Sequence, residues 1–276
     1  MTRIKPVFNY FGSKFYLAKK LLCLVPNHHT YIEPFCGSAA MFFLKQPSPN
    51  EILNDVNNSI FLLFQILQNP DKLAILCDLI SLTPYSRKVY ENSQNYRSES
   101  NDISQVYNFL ICSNMGFGGI QRYKTGWKTG YESCRSVAVW NKMPIRLSYA
   151  ASRLKKAQID CRPAIDVILR SDRPDSFFFI DPPYPYYSFL TPKHCYDHSM
   201  TDTEHNDLIL ILSGLKGKVM ITMYQNPIYD QLLDSGFHRF SIDNKDMHKT
   251  TKTESIYINY TFSGSLFSPL LLPPAE

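Results

Sequence analysis

The sequence predicts a mainly parallel, doubly wound α/β sheet, covered by helices on both faces, with a helical and loop-rich lobe inserted near its middle. Three observations predict it. Short apolar strands alternate with amphipathic segments toward both ends of the chain, the pattern of strand–helix–strand units. The stretch 83–146 departs from that pattern and is rich in Ser, Asn, Tyr, Gly and Arg. Acidic residues, Glu33, Asp55 and Asp181, stand where three of the strands end, the place where ligand groups gather in open α/β sheets.

The elements follow in order. The turn Phe8-Asn9-Tyr10-Phe11-Gly12-Ser13-Lys14 leads into an amphipathic helix over Phe15–Leu24. Thr30–Phe35 reads as a short strand running into a loop, and Cys36–Leu44 as the turn and helix after it. Glu51–Asp55 reads as the second strand and Ile60–Leu67 as the next helix. The apolar run Phe177–Ile180 is too short for a helix and reads as a buried strand. Lys218–Thr222 and Ser255–Tyr260 are further strands. Thr203–Ser213 reads as a helix opening on a Thr cap, and Tyr229–Ser235 as another. Gly116, Gly118, Gly119, Gly126 and Gly130 point to turns between small helices in the middle. The division is therefore 1–82 with 147–276 as the α/β unit, and 83–146 as the lobe.

The chain has 276 residues, 44% hydrophobic and 19% charged, which suits a folded protein with a large core. No stretch approaches the roughly 18 uncharged apolar residues of a membrane span, so no membrane partner is expected. Seven cysteines, without a C-x-x-C pair, fit a reduced, cytoplasmic chain better than a disulfide framework. Net charge is only +5, but between Gly116 and Lys156 nine Lys and Arg face one acid, Glu132. That excess is the footprint of a polyanion-binding surface; a solvated basic face would give the same count.

Two constellations carry the chemistry. In Glu33-Pro34-Phe35-Cys36-Gly37-Ser38-Ala39-Ala40, a strand ends in an acid and passes through small residues into a helix. Small residues let a ligand approach the backbone, and a helix start offers amide donors. Eighteen residues past Gly37, the second strand ends in Asp55, where doubly wound folds grip a ribose diol; a helix cap is the competing role. The second constellation, Asp181-Pro182-Pro183-Tyr184, directly follows the buried strand. Two prolines cannot continue a central strand, so carbonyls there lack ladder partners. A carboxylate and a carbonyl can accept the two hydrogens of an exocyclic amino group while the Tyr ring stacks on its base. Lys14, at a helix start where its charge opposes the dipole, suggests an anionic group to meet, such as a carboxylate. His194-Cys195-x-x-His198 lacks an evident fourth ligand, so no metal is expected.

In this order, aromatic-x-Gly-x-Lys, E-P-F-x-G-x-A, N-D, a long insert, then D-P-P-Y, the chain resembles the alpha-class, Dam-like DNA adenine-N6 methyltransferases that use S-adenosylmethionine. It looks most like the variety carried by phages and mobile elements. The resemblance implies a Rossmann-like methyltransferase sheet with 83–146 as target-recognition lobe. It implies S-adenosylmethionine contacts from Tyr10, Lys14, Asp55 and Asp181, with Glu33, Pro34, Phe35 and Gly37 along the methionine side. Asp181, Pro182, Pro183 and Tyr184 would be catalytic, acting on N6 of an adenine flipped out of double-stranded DNA and stacked on Tyr184. Where many members have Asp-Phe, this chain has Pro163-Ala164, with Asp166 as a candidate nearby. Arg122, Lys124, Lys128 and Arg135 would meet DNA, with Tyr123, Trp127, Tyr131 and Asn114 available for bases or gap filling. A cognate restriction endonuclease and the oligomeric state stay open. The alternatives are methylation of RNA adenine or another amino group, and a catalytically inactive DNA-binding module.

Overall fold

The structure is a computed structural model that describes residues 7–8, 12–95, 101–117, 125–129, 135–185, 198–245 and 251–261. Among them, seven strands form one sheet in the order β3-β2-β1-β4-β5-β7-β6. These are β1 Thr30–Glu33, β2 Asn50–Asn54, β3 Gln158–Asp160, β4 Ser176–Ile180, β5 Lys218–Met223, β6 His238–Lys245 and β7 Thr251–Ile258. Strands β1 to β5 run parallel, while β7 pairs antiparallel with both β5 and β6. The doubly wound expectation therefore holds over five strands, and an antiparallel hairpin extends one edge. The strand order reverses between β1 and β4, so the loops leaving these two strands diverge there and leave a crevice.

Strand β4 is buried at all five positions, as its unbroken apolar run requires for a strand covered on both faces. The chain leaves β1 for helix α2, Ala40–Leu44, and β2 for helix α3, Asn58–Gln68. Asn57 caps α3 by accepting the Ser59 N–H, so Asp55 is not the helix cap. Pro70 starts α4, Pro70–Ser81, where its missing N–H costs nothing. Helix α1 spans Phe15–Leu21 and continues as a short 3-10 turn to Leu24. Helices α9, Ala164–Ser171, α10, Asp202–Ser213, and α11, Pro227–Asp230, bury Val167, Leu208 and Tyr229 in one core with Ile32, Phe178, Val219 and Tyr257 of the sheet. The cap of α10 is Thr201, two residues before the expected Thr203: Thr201 and Glu204 bond each other's backbone N–H in a capping box.

The middle of the chain is more helical than its composition suggests. Of the helices here, α6, Asp102–Met115, and α8, Met143–Leu154, stack on α3 and α4, while α5, Arg87–Ser93, packs on α6, and α7, Arg135–Asn141, packs on α6 and α8. Buried Phe109, Trp140, Leu147 and Leu154 join Tyr31 and Phe177 of the sheet in one continuous core. The boundary expected at residue 146 falls inside α8, which packs on both α3 and α4.

Among the described basic residues of that stretch, Arg153 and Arg146 turn away from an outer basic face. Arg153 reaches inward to Glu51, which is 1% exposed and also holds buried Lys45 at 2.6 Å. Arg146 is largely buried, and that burial pulls its guanidinium below the usual range. No single helix among the described residues is long and apolar enough to cross a membrane.

Candidate active site

A cavity of about 410 Å³ lies at the carboxyl ends of β1, β2 and β4. Its walls come from Gly12–Lys14, Glu33–Ser38, Asn54–Val56, Arg162–Ile165, Asp181–Pro183 and His198–Met200. Segments almost 170 residues apart in sequence thus meet at the switch point.

Asp181 is the first residue past β4. Its Oδ1 accepts the Thr222 hydroxyl from β5 at 2.7 Å and lies 3.1 Å from Lys14 Nζ. Lys14 is 8% exposed, also donates to the Gly12 carbonyl at 3.0 Å, and sits 4.4 Å from the centre of the Tyr184 ring. The anion that the Lys14 position called for is therefore supplied by the chain itself. The Tyr184 ring is 6% exposed, its hydroxyl donates to Glu254 Oε2 at 2.7 Å, and Tyr224 meets it edge to face at 4.8 Å. Tyr184 does not line the cavity, whereas Asp181, Pro182 and Pro183 do. This corrects the expectation of a ring open to stack on a base: in this state it supports the Lys14 cation.

The first constellation folds differently from a plain strand-to-helix-start turn. Within the expected turn and helix of Cys36–Leu44, helix α2 begins at Ala40, after Gly37 and Ala39 have both turned through left-handed backbone. Glycine adopts that conformation without a Cβ penalty. The amides there are used internally: Gly37 N–H donates to Asp55 Oδ2 at 2.8 Å, and Phe42 N–H to Glu33 Oε1 at 2.7 Å. Asp55 Oδ1 accepts the Asn57 N–H at 2.9 Å. Asp55 thus ties the first turn to the second, yet still lines the cavity. Neighbouring Asn54, 1% exposed, binds the Pro34 carbonyl and both the carbonyl and N–H of Arg162. One buried amide therefore joins the loops after β1, β2 and β3. Burial pushes the Cys36 thiol up, as befits a packing residue.

Glu33 lines the cavity at 2% exposure and also accepts the Tyr31 hydroxyl. Burial pushes its carboxyl up to about 7, although the Tyr31 hydroxyl, the Phe42 N–H and Lys45 each pull it down. The folded protein then holds a proton that the unfolded chain releases near its ordinary value of 4.5. The stability this group contributes is complete below that value and is lost as pH rises through about 7. Melting temperatures across this range should fall less steeply with pH in Glu33→Gln than in the wild type. Parallel profiles would mean that Glu33 is ionised in the fold.

The other expected residues divide. Pro34, Phe35 and Gly37 line the cavity. Asp166 lies on the exposed side of α9, outside the cavity wall, and Arg162 to Ile165 form that wall instead. Tyr10, Arg122, Lys124, Tyr123 and Tyr131 lie outside the described residues, as do His194 and Cys195. Lys128 is half-buried and Arg135 exposed at the start of α7. Asn114 is not available to a base: it is 5% exposed and its amide donates to Leu110 O. Trp127 is packed against Tyr85 and Arg87. Thr222, Glu254 and the joining role of Asn54 were not anticipated.

A family profile described as D12 class N6 adenine-specific DNA methyltransferase matches residues 10–250. The chain belongs to this family. It is an adenine-specific DNA methyltransferase, so DNA is its substrate and a methyl donor is required. This D12 class enzyme is 24% identical over 240 residues to the Type II methyltransferase M.CviBI of Paramecium bursaria Chlorella virus NC1A, covering 85% of this chain and 88% of that one. Among solved structures it is similar to a modification subunit, provisionally assigned to a type I restriction enzyme, from Vibrio vulnificus YJ016. That match has a TM-score of 0.33 and 9% identity, and covers 90% of this chain but only 44% of the subunit.

Proposed function

We propose that this methyltransferase moves the methyl group of S-adenosylmethionine to N6 of an adenine turned out of duplex DNA, using Asp181 and Pro182 as the acceptors of the amino hydrogens. The observation that carries this reading is Asp181, held at a strand end in the cavity wall by Lys14 and Thr222. The cavity falls in the size range of small-molecule sites. Asp55 lines the cavity with its carboxylate oriented by the N–H groups of Gly37 and Asn57, and a carboxylate is the acceptor a ribose hydroxyl calls for. The bound donor supplies an electrophilic methyl group.

The nucleophile is the difficulty, because the N6 lone pair is delocalised into the adenine ring. A carboxylate and a carbonyl that accept both N–H bonds favour a pyramidal nitrogen with its lone pair directed out of the ring plane. As the N6–methyl bond forms and the donor's S–methyl bond breaks to leave a neutral thioether, positive charge grows on N6 until one amino proton leaves for water, so a fixed anion at Asp181 stabilises the transition state more than the ground state. Bonds to Lys14 and Thr222 restrain Asp181 Oδ1, which lowers the cost of orienting the group during reaction. Such a pocket cannot reach N6 inside a duplex, so the base must leave the stack. Arg122, Lys124, Lys128 and Arg135 are proposed to meet the phosphates, which position the duplex without reading its sequence. The type II class of the viral relative motivates a search for a cognate restriction endonuclease.

Sequencing modified bases in DNA from cells that express the chain tests this function. N6-methyladenine should appear within a defined sequence context and vanish in cells expressing Asp181→Ala. Methylation confined to RNA would move the substrate to another class. Donor binding without methylated nucleic acid would indicate an inactive binding module.

A further inference from the structure

We propose that Glu254 is a positioning residue for methyl transfer, acting through Tyr184 and Lys14 on Asp181. The proposal rests on the reading of Asp181 as the catalytic acceptor. Glu254 lies on β7 at 4% exposure, beside fully buried Ile256 and Ile258. Removing a carboxylate from water is costly unless a partner compensates it, and here the Tyr184 hydroxyl donates to Oε2 at 2.7 Å. Sheet register explains how two residues 70 apart in sequence meet. Thr222 of β5 stands opposite Ile256 of β7, so the two share one sheet face, and Glu254, two residues from Ile256, shares it too. The same face therefore presents Thr222 to Asp181 and Glu254 to Tyr184.

The hydrogen bond fixes the one polar atom of the tyrosine ring. The ring in turn lies 4.4 Å from Lys14 Nζ, and that ammonium lies 3.1 Å from Asp181 Oδ1. Glu254 and Thr222 thus hold the two ends of one connected group, Tyr184–Lys14–Asp181. Without Glu254 the ring hydroxyl loses this acceptor, and the surface that faces Lys14 is less firmly fixed. The carboxylate that must align with N6 is then held by Thr222 and a less constrained ammonium. An error of an ångström in such an alignment costs about 100-fold in rate.

Single-turnover methylation, at saturating donor and duplex and at a temperature where each variant is folded by circular dichroism, tests the proposal. Glu254→Ala should slow transfer by about 10- to 100-fold while duplex affinity stays within about twofold. Glu254→Gln, which keeps an acceptor oxygen, should recover most of the rate. Tyr184→Phe should slow transfer similarly, and the double variant Glu254→Ala/Tyr184→Phe should be no slower than the worse single one. Glu254→Met, close in volume but without oxygens, serves if the alanine variant does not fold, with the same loss expected. Wild-type rates in both Glu254→Ala and Glu254→Met would overturn the proposal. So would losses in Glu254→Gln as large as in Glu254→Ala, or losses that add across the two positions. A wild-type enzyme inactive on adenine DNA, or an active Asp181→Ala, would overturn the functional reading itself. A dead Asp181→Ala beside a normal Glu254→Ala would overturn the role of Glu254 alone.

Discussion

Asp181→Ala should abolish methyl transfer in a protein that still folds and still binds duplex DNA. The carboxylate is proposed to accept an N6 hydrogen and to offset the charge that grows on that nitrogen, and alanine does neither. Asp181→Asn separates the two contributions, since it keeps size and one acceptor oxygen but removes the anion. If acceptor geometry alone mattered, the asparagine enzyme would keep much of its rate. If charge dominates, it should lose about 100- to 1,000-fold, the scale found when one preorganised electrostatic group is removed. The ion pair adds a second expectation. Lys14 is 8% exposed and 3.1 Å from Asp181, so both variants leave a buried ammonium without that anion. Their melting temperatures should drop as well, because deleting one partner of a buried pair costs more than the pair contributes. Single-turnover rates at saturating donor separate chemistry from donor affinity. Near wild-type rates in both variants would remove Asp181 from the reaction, and the proposed mechanism with it.

What the sequence disclosed follows from how local each signal is. Strand β4 was legible because a fully buried parallel strand needs consecutive apolar residues, and Phe177–Ile180 are apolar throughout. Strand β3 has only Gln158, Ile159 and Asp160, too few and too polar to stand out. Strand β6 carries His238, Arg239 and Asp243 among its apolar residues, as an antiparallel strand on the outer edge of the sheet can. Helix α4 did carry a signal, Asn69 then Pro70, and the structure uses both as cap and first turn. Helix α6 was obscured by its Ser and Asn residues, which disfavour a helix in isolation but are carried by buried Val106, Phe109 and Leu110.

The site shows the same division. Asp181 and Asp55 were visible because each stands at a strand tip within a short motif. Thr222 and Glu254 reach Asp181 and Tyr184 through pairing between strands distant in sequence, which no local pattern displays. The Tyr184 ring was expected to face a ligand, yet Lys14 and Glu254, 240 residues apart, draw it inward.

Asp55→Ala should weaken binding of S-adenosylmethionine by about 1.5–3 kcal/mol, the worth of hydrogen bonds to a charged group. Two routes lead to that loss. In one, Asp55 acts directly on a ribose hydroxyl; in the other, it acts by holding the turn, since its oxygens accept the N–H groups of Gly37 and Asn57 at 2.8 and 2.9 Å. Calorimetry with S-adenosylhomocysteine and its ribose-deoxy analogues tells them apart. If the carboxylate grips the diol, removing a hydroxyl should weaken binding to the wild type and have little further effect on Asp55→Ala. If the carboxylate only ties the turn, the losses from ligand and protein should add, because neither change touches the other's contact. Strain favours some contribution from the turn: Gly37 and Ala39 both hold left-handed backbone, and Ala39 does so at a steric cost that the surrounding bonds must offset. Melting temperature should therefore fall in Asp55→Ala even without ligand. Unchanged affinity for every ligand would take Asp55 out of the donor site and leave it as the tie between the first and second strand-end turns.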